Sequence, residues 1–206
     1  MPELVASGIA CLKQDRLLFD SLTFTLSEAR LVHLKGANGA GKTSLLRILS
    51  GLSQPASGQI LWNGQPLDAR YYQQLIYIGH KSGLSTNLSA LDNLTYWCAQ
   101  HGVSSTEQQR LAILDELGLV GLETLPVKSL SAGQQRRVAL ARLWLKPAAI
   151  WLLDEPFTAL DVQGVQMIET KIRDFVDRGG MVMLTSHQAL SQHAGDFQTL
   201  ELEYRW

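Results

Sequence analysis

Eight consecutive residues carry the clearest phosphate-binding chemistry of the chain, the run Gly36-Ala37-Asn38-Gly39-Ala40-Gly41-Lys42-Thr43. The run matches the pattern G-x-x-x-x-G-K-[ST], in which glycines let successive backbone N–H groups turn toward phosphate oxygens. Lys42 supplies a positive charge for the β- and γ-phosphates, and the hydroxyl of Thr43 is a ligand for Mg²⁺. An apolar strand precedes the run, and the apolar spacing after it predicts a helix from Ser44 to Ser50. We therefore predict that residues 36–44 bind a nucleoside triphosphate.

Two adjacent acids, Asp154 and Glu155, follow the apolar segment Ile150–Leu153. Ligands of open α/β sheets bind at the carboxyl ends of the strands, so this position suits a catalytic site. Asp154 is predicted to hold Mg²⁺ through water, and Glu155 to orient or deprotonate the water that attacks the γ-phosphate. An acidic strand exit is common by itself. The phosphate loop, which needs such a partner, favours the catalytic interpretation here.

A third segment, Leu130-Ser131-Ala132-Gly133-Gln134, opens an apolar-periodic stretch that predicts a helix from Ala132 through Leu145. Ser131 is well placed to cap that helix through its hydroxyl. The free N–H groups of a helix N-terminus also attract a phosphate group. Capping and phosphate binding are compatible, and both interpretations stay open at this point.

The periodicity of apolar residues places these motifs on an α/β framework. Before the phosphate loop, and again after it, short apolar runs predict five strands: Leu4–Leu12, Leu22–Leu26, Leu31–Lys35, Gln59–Trp62 and Leu75–Ile78. From Ala90 the spacing becomes helical, with a further start signal at Ser105 and Thr106. Continuous apolar runs at Ile150–Leu153 and Met181–Thr185, joined by a predicted helix from Val162 to Asp177, are typical of a buried parallel sheet. We therefore expect a helical lobe, at about residues 84–145, inserted into the α/β core.

Composition narrows the class of protein. The 206 residues are long enough for one compact domain with its own core. The formal net charge of −1 argues against nucleic acid as the main partner, because phosphate-backbone binding needs a basic surplus. The two cysteines, Cys11 and Cys98, match no metal or redox spacing. No basic leader and no apolar run of membrane-spanning length are visible, so we expect a chain that does not itself cross a membrane.

The three motifs together resemble the ABC ATPase family. The resemblance covers the whole chain and implies a P-loop NTPase fold with a RecA-like core, a small antiparallel β-region and the helical lobe, as one domain over residues 1–206. It also implies a head-to-tail dimer of two copies that closes over two Mg–ATP molecules. In such a dimer Ser131, Gly133 and Gln134 would contact the ATP that the opposite subunit holds.

The resemblance assigns roles to three further residues. His187 stands where the family's switch histidine contacts the γ-phosphate, and Asp161 ends the segment Thr158-Ala159-Leu160-Asp161, which matches the loop that crosses the dimer interface. A helix N-cap is the plainer interpretation of Asp161. His80 stands where the family usually has a glutamine near the Mg²⁺-bound water. The family's adenine-stacking aromatic is missing from residues 11–16, which leaves the preference for ATP over GTP open.

Within the family, the segments 78–80, 130–145 and 153–159 are similar to the ATP-binding subunits that export haem for cytochrome c maturation. This narrower resemblance implies a peripheral ATPase on the cytoplasmic side of a bacterial inner membrane, bound to integral membrane permease subunits. No residue shows haem chemistry, so the cargo follows from the resemblance alone. The alternatives are the ATPase of another small ABC exporter and a soluble ABC ATPase not engaged in transport.

Overall fold

The structure, a computed structural model, describes residues 2–203 and contains two β-sheets. The strands have the following bounds: β1 Glu3–Lys13, β2 Arg16–Ser27, β3 Arg30–Gly36, β4 Ser57–Trp62, β5 Gln65–Pro66, β6 Leu75–Ile78, β7 Ile150–Leu153, β8 Met181–Thr185 and β9 Gln198–Leu202. One sheet is antiparallel with the order β2-β1-β4-β5, and the other has the order β6-β7-β8-β3-β9 with parallel pairing throughout. The expected α/β architecture with a small antiparallel β-region is confirmed.

Helices connect the strands and pack on both faces of the parallel sheet. Their bounds are α1 Lys42–Leu49, α2 Ala69–Gln73, α3 Ala90–Gln100, α4 Glu107–Glu116, α5 Ala132–Leu140, α6 Arg142–Leu145 and α7 Val162–Asp177. The start signal at Thr106 is a capping box, since its hydroxyl accepts from the N–H of Gln109 and its own N–H donates to the Gln109 side chain. No helix within residues 2–203 has the length and apolar character of a membrane span.

The parallel sheet is buried on both faces, as its apolar strands predict. Alternate residues of β7 point to opposite sides: Ile150 and Leu152 pack in the core that contains α1, α2 and the antiparallel sheet, whereas Trp151 and Leu153 pack in the core of α3 to α7. This arrangement presents the carboxyl ends of β3, β7 and β8 at one edge. The residues that follow those three strands carry the predicted chemistry.

The segment with α3 to α6 lies between β6 and β7 in the chain, and these two strands are paired neighbours in the sheet. The chain therefore leaves the sheet after β6, forms these four helices, and returns to the sheet at the neighbouring strand β7. Leu94 of α3, Leu114 of α4 and Val138 of α5 share one core with Leu153 of β7. The proposed lobe at residues 84–145 thus packs against the sheet through a continuous apolar contact.

The prediction of one continuous helix from Ala132 through Leu145 was wrong. The structure ends α5 at Leu140 and begins α6 at Arg142, with Ala141 between them. The N–H of Trp144 donates to the carbonyl of Ala141, three residues back, so the helical hydrogen-bond pattern tightens at the junction. The spacing of apolar residues alone does not indicate an interruption of a single residue.

Candidate functional site

The phosphate loop connects the end of β3 to the first turn of α1. Its last residue before the helix is Gly41, with a φ of +105°, and a β-carbon there would lie 3.0 Å from the ring of Phe19. Glycine therefore meets both a backbone and a packing requirement at this position. Because Gly41 has no side chain to cap α1, the first amides of the helix are available to a phosphate group. The Lys42 ammonium donates to the carbonyls of Gly36 and Ala37, at 2.7 and 3.3 Å, which holds it above the loop.

A polar cleft of about 730 Å³ opens over this loop. Most of the predicted site residues line it: Asn38, Gly39, Gly41, Lys42, Thr43, Ser44, His80, Asp154, Glu155 and His187. The other loop residues, Gly36, Ala37 and Ala40, form the turn behind it, where the N–H of Ala40 donates to the carbonyl of Ala37. The ends of four strands, β3, β6, β7 and β8, and the start of α1 thus bring phosphate-binding, acidic and imidazole groups together in one cleft.

Asp154 lies at the base of the cleft and is 1% exposed. Its Oδ2 accepts a hydrogen bond from the Thr43 hydroxyl at 2.9 Å, and its Oδ1 accepts one from the Thr185 hydroxyl at 2.9 Å. The pair of Thr43 and Asp154 offers a hydroxyl and a carboxylate oxygen side by side, the donor types that Mg²⁺ selects beside a nucleotide's phosphates. These residues therefore fit the magnesium ion that the phosphate loop implies.

Glu155 follows Asp154 in an unusual backbone conformation, with a φ of +52°. A non-glycine residue held there is strained by about 1–3 kcal/mol, and surrounding contacts must maintain it. One such contact is the hydrogen bond from the Glu155 N–H to the Thr185 hydroxyl at 2.8 Å. The turn directs the carboxylate toward β8, where the N–H of His187 donates to Oε2 at 3.2 Å and His187 Nε2 lies 3.6 Å from Oε1.

The segment Leu130–Gln134, here called the signature segment, caps α5. The Ser131 hydroxyl accepts from the N–H of Gln134 at 3.2 Å, and the Gln134 side chain accepts from the N–H of Ser131 at 2.8 Å. Ser131 is exposed, and within the described part of the chain the signature segment does not line the cleft of its own subunit. A β-carbon on Gly133 would lie 2.5 Å from the carbonyl oxygen of Ala159, so a glycine here allows α5 to pack against the loop after Glu155.

Asp161 lies outside the cleft lining as well. Its carboxylate accepts from the N–H of Gly164 at 2.9 Å and so caps α7. The same oxygen pairs with the Arg137 guanidinium at 2.6 Å. The geometry within one subunit thus gives Asp161 a capping and loop-tethering contact.

The rim of the cleft opposite the catalytic acids comes from the hairpin that joins β1 to β2. Lys13, Gln14, Arg16 and Leu18 line it, and Gln14 has a φ of +48° in the tight turn. No aromatic side chain occurs among these four residues. A nucleotide base at this rim would meet cationic and amide side chains rather than a ring.

Two residues of the site were not predicted from the sequence. Thr185 connects Asp154 to Glu155 through one hydroxyl, and Arg136 contacts the carbonyls of the turn that carries Glu155. Each left a signal in the sequence. Thr185 is a hydroxyl residue at the end of an apolar strand, and Arg136 shares a helical face with the apolar Ala139, Leu140 and Leu143.

Comparison with known proteins supports what the site geometry indicates. The family model described as ABC transporter matches residues 19–158. The chain belongs to the ABC transporter family. Its match to that family includes the phosphate loop, the signature segment and the two acids after β7. Membership makes the chain an ATP-binding domain of the class that hydrolyses ATP.

Individual relatives are similar over almost the whole chain. Two are named "Cytochrome c biogenesis ATP-binding export protein CcmA", one from Escherichia coli (strain K12) and one from Shigella boydii serotype 4. Each is 49% identical over 93% of this chain and 92% of its own length.

Among solved structures, a putative ABC transporter ATP-binding protein from Pyrococcus furiosus matches with a TM-score of 0.83 and 25% identity, covering 97% of each chain. A bacterial ABC transporter cassette solved as a dimer matches with a TM-score of 0.84 and 20% identity over 98% of this chain and 97% of its own, which shows the shared fold.

Proposed function

We propose that this chain is the ATP-hydrolysing subunit of a membrane complex that exports haem for cytochrome c biogenesis. The observation that carries the ATPase part is the convergence of Lys42, Thr43, Asp154, Glu155 and His187 on one cleft. The export part is supported by 49% identity over 93% of the chain to a protein named for cytochrome c biogenesis and export. The proposal places the chain on the cytoplasmic side of a bacterial inner membrane, bound to integral membrane permease subunits.

Each residue of the cleft has a proposed task in ATP hydrolysis. Lys42 and the amides of residues 38–44 bind the phosphates, and Thr43 with Asp154 holds Mg²⁺. The ion, when bound, neutralises charge on the β- and γ-phosphates. Glu155 orients the attacking water and accepts its proton.

The imidazoles complete the site. His187 is 67% exposed in its side chain and faces the cleft, so its ring reaches the γ-phosphate while its backbone holds the Glu155 carboxylate. His80, at the other wall of the cleft, contacts water beside the metal position. Neither residue replaces Glu155 as the proposed base, because only Glu155 combines a carboxylate with a constrained direction into the cleft.

The proposed working form is a head-to-tail dimer of two copies. In each copy Ser131 is exposed and caps a helix whose free amides suit a phosphate, yet it lies outside its own cleft. In a head-to-tail dimer, the nucleotide bound by the phosphate loop of one copy would also contact the signature segment of the other copy. This arrangement explains why Ser131 lies outside the cleft of its own subunit. We propose that Ser131, Gly133 and Gln134 contact ATP in this way, and that Asp161 lies at the same interface.

Two measurements test the proposal at its two levels. The chain is purified from detergent extract with its membrane partners, and ATP-dependent phosphate release is measured for the natural protein and for Glu155→Gln. The source organism is then given Glu155→Gln in place of the natural gene, and its mature c-type cytochromes are quantified. The proposal expects hydrolysis by the natural complex, little by the variant, and loss of c-type cytochromes in the variant strain. Normal cytochromes beside lost hydrolysis would reject the cytochrome role and favour another exporter, whereas absence of hydrolysis in the natural complex would reject the ATPase assignment.

A further inference from the structure

Arg136 is a buried cation that contacts the backbone of the catalytic turn from the signature helix. Its side chain is on the inner face of α5, and the residue is 5% exposed. Burial lowers the pKa of its guanidinium, while the nearby Asp154 and Glu155 carboxylates raise it. An arginine nonetheless stays charged in a protein, so the buried charge requires good hydrogen-bond partners.

Those partners are four backbone carbonyls. Nη2 donates to the carbonyls of Asp154 and Glu155 at 2.8 and 2.9 Å, and Nε donates to that of Pro156 at 3.2 Å. Nη1 donates to the carbonyl of Gly79 at 2.9 Å, next to His80. One guanidinium thus binds three successive residues around Glu155 and the residue that precedes His80.

Arg136 contacts the strained part of the backbone around Glu155. Glu155 has a φ of +52°, a strained conformation for a non-glycine residue. Arg136 binds the carbonyls on both sides of that residue, and the Thr185 hydroxyl accepts from its N–H. The direction of the Glu155 carboxylate therefore depends on the position of α5.

Arg136 and Ser131 are on the same short helix. Ser131 is its N-cap with both bonds of a capping box, and Arg136 follows five residues later. A displacement of the helix start therefore moves the guanidinium with it, and the carbonyls of the Glu155 turn follow. If the proposed dimer is correct, Ser131 contacts the partner's ATP while Arg136 positions the catalytic carboxylate of its own subunit.

We propose that Arg136 is a positioning residue that couples the two nucleotide sites of the dimer. Engagement of Ser131 with one ATP orders, through α5 and Arg136, the Glu155 turn and the His80 segment that act on the other ATP. The inference rests on the proposed function and adds a physical connection between its sites. It requires no movement beyond the displacement of one helix that is already bonded to the turn.

The test compares Arg136→Gln and Arg136→Lys with the natural protein in the purified membrane complex. Steady-state ATP hydrolysis gives kcat, KM and the Hill coefficient, and a fluorescent ATP analogue gives the equilibrium Kd. Arg110→Gln is the matched control, because that guanidinium donates to Ser105 at the start of α4 and has no role in the cleft. Thermal unfolding shows whether each variant is folded.

We expect Arg136→Gln to lower kcat by roughly a hundredfold, the effect of misplacing a catalytic group by about 1 Å, with Kd unchanged. The Hill coefficient should be above one in the natural protein and close to one in the variant. Arg136→Lys keeps the charge but has a single nitrogen, so its kcat and Hill coefficient should lie between those of the natural protein and Arg136→Gln. If Arg136→Gln does not fold, the values for Arg136→Lys decide the test. Normal kcat in both variants, or a lowered kcat with an unchanged Hill coefficient, would overturn the coupling. Lack of hydrolysis by the natural complex would instead reject the proposed function.

Discussion

His187 contacts Glu155 through both its backbone and its ring: its N–H donates to Oε2 at 3.2 Å, and its Nε2 lies 3.6 Å from Oε1. The Glu155 side chain is 15% exposed, whereas that of His187 is 67% exposed. The carboxylate is therefore held in place by the segment after β8, and the imidazole keeps most of its surface toward the cleft. This relationship supports the proposal that Glu155 accepts the proton and that His187 contacts the γ-phosphate.

Glu155→Gln is expected to keep ATP binding and lose turnover. The amide preserves the size of the side chain but cannot accept a proton as a carboxylate does. General-base catalysis contributes about 10²–10⁴-fold, so kcat should fall to about one per cent or less. Phosphate release under single-turnover conditions, together with the Kd of a labelled ATP analogue, measures both quantities.

Asp174→Asn serves as the control for Glu155→Gln, since it removes another carboxylate on the surface of α7. A Glu155→Gln protein that hydrolyses ATP at the natural rate would show that the base lies elsewhere. His187 would then be the next residue to change.

Lys42→Ala is expected to abolish nucleotide binding. Its ammonium is the cation of the phosphate loop, and it donates to the carbonyls of Gly36 and Ala37. The substitution therefore removes the charge opposite the triphosphate together with two contacts of the loop. Equilibrium titration with a labelled ATP analogue checks the prediction, with the exposed Lys128→Ala as the comparison. Natural affinity in Lys42→Ala would reject the phosphate-loop assignment.

His33 predicts a pH dependence of stability. It is 2% exposed, its Nε2 lies 3.3 Å from the carbonyl of Ser186, and within the described residues its Nδ1 has no hydrogen-bond partner. Burial lowers the pKa of His33 from 6.5, Lys35 lowers it further, and the Ser186 carbonyl and Glu155 raise it. Because the unfolded chain then binds the proton more tightly, the stabilising contribution is present above about pH 6.5 and is lost as the pH falls through the folded-state pKa.

His33→Gln isolates this effect. The glutamine side chain can donate to Ser186 but does not titrate near neutrality. Thermal unfolding at pH 7.5 and pH 5.5 should give a smaller loss of Tm on acidification in His33→Gln than in the natural protein. A loss of 1 kcal/mol corresponds to about 2–4 °C in a chain of this size. The exposed His101→Gln is the control, and an identical acid shift in all three proteins would contradict the prediction.

The sequence predicted local features that depend on local chemistry. The bounds Leu75–Ile78, Ile150–Leu153, Val162–Asp177 and Met181–Thr185 agree with the structure, because apolar runs and a capping aspartate define them. β2 was predicted only over its alternating part, Leu22–Leu26, since its first half has no clear alternation. The break at Ala141 arises from a change in backbone hydrogen bonding, and no residue type at this position indicates it.

The candidate site was predictable where a motif is contiguous and less so where residues meet only in the folded chain. The phosphate loop and the pair Asp154 and Glu155 are of the first kind. Thr185 and Arg136 are of the second, since each acts through backbone or side-chain atoms that are remote in sequence. A buried arginine in a helix is visible as a charge on an apolar face, but its carbonyl partners require the fold.

The most direct test of the account is complementation between two inactive variants in the membrane complex. Lys42→Ala removes the phosphate loop of one copy, and Ser131→Arg blocks the signature segment of the other. A mixed dimer retains one complete site, formed by the intact Lys42 of one copy and the intact Ser131 of its partner. With equal mixing, half of the dimers are mixed and each has one of two sites, so independent sites would recover about a quarter of the natural rate. The coupling proposed for Arg136 makes the recovery smaller than a quarter, because the subunit that holds the intact site has no working Ser131 of its own, but hydrolysis should still exceed that of either variant alone. Hydrolysis no greater than that of either variant alone would contradict the composite site and, with it, the proposed dimer.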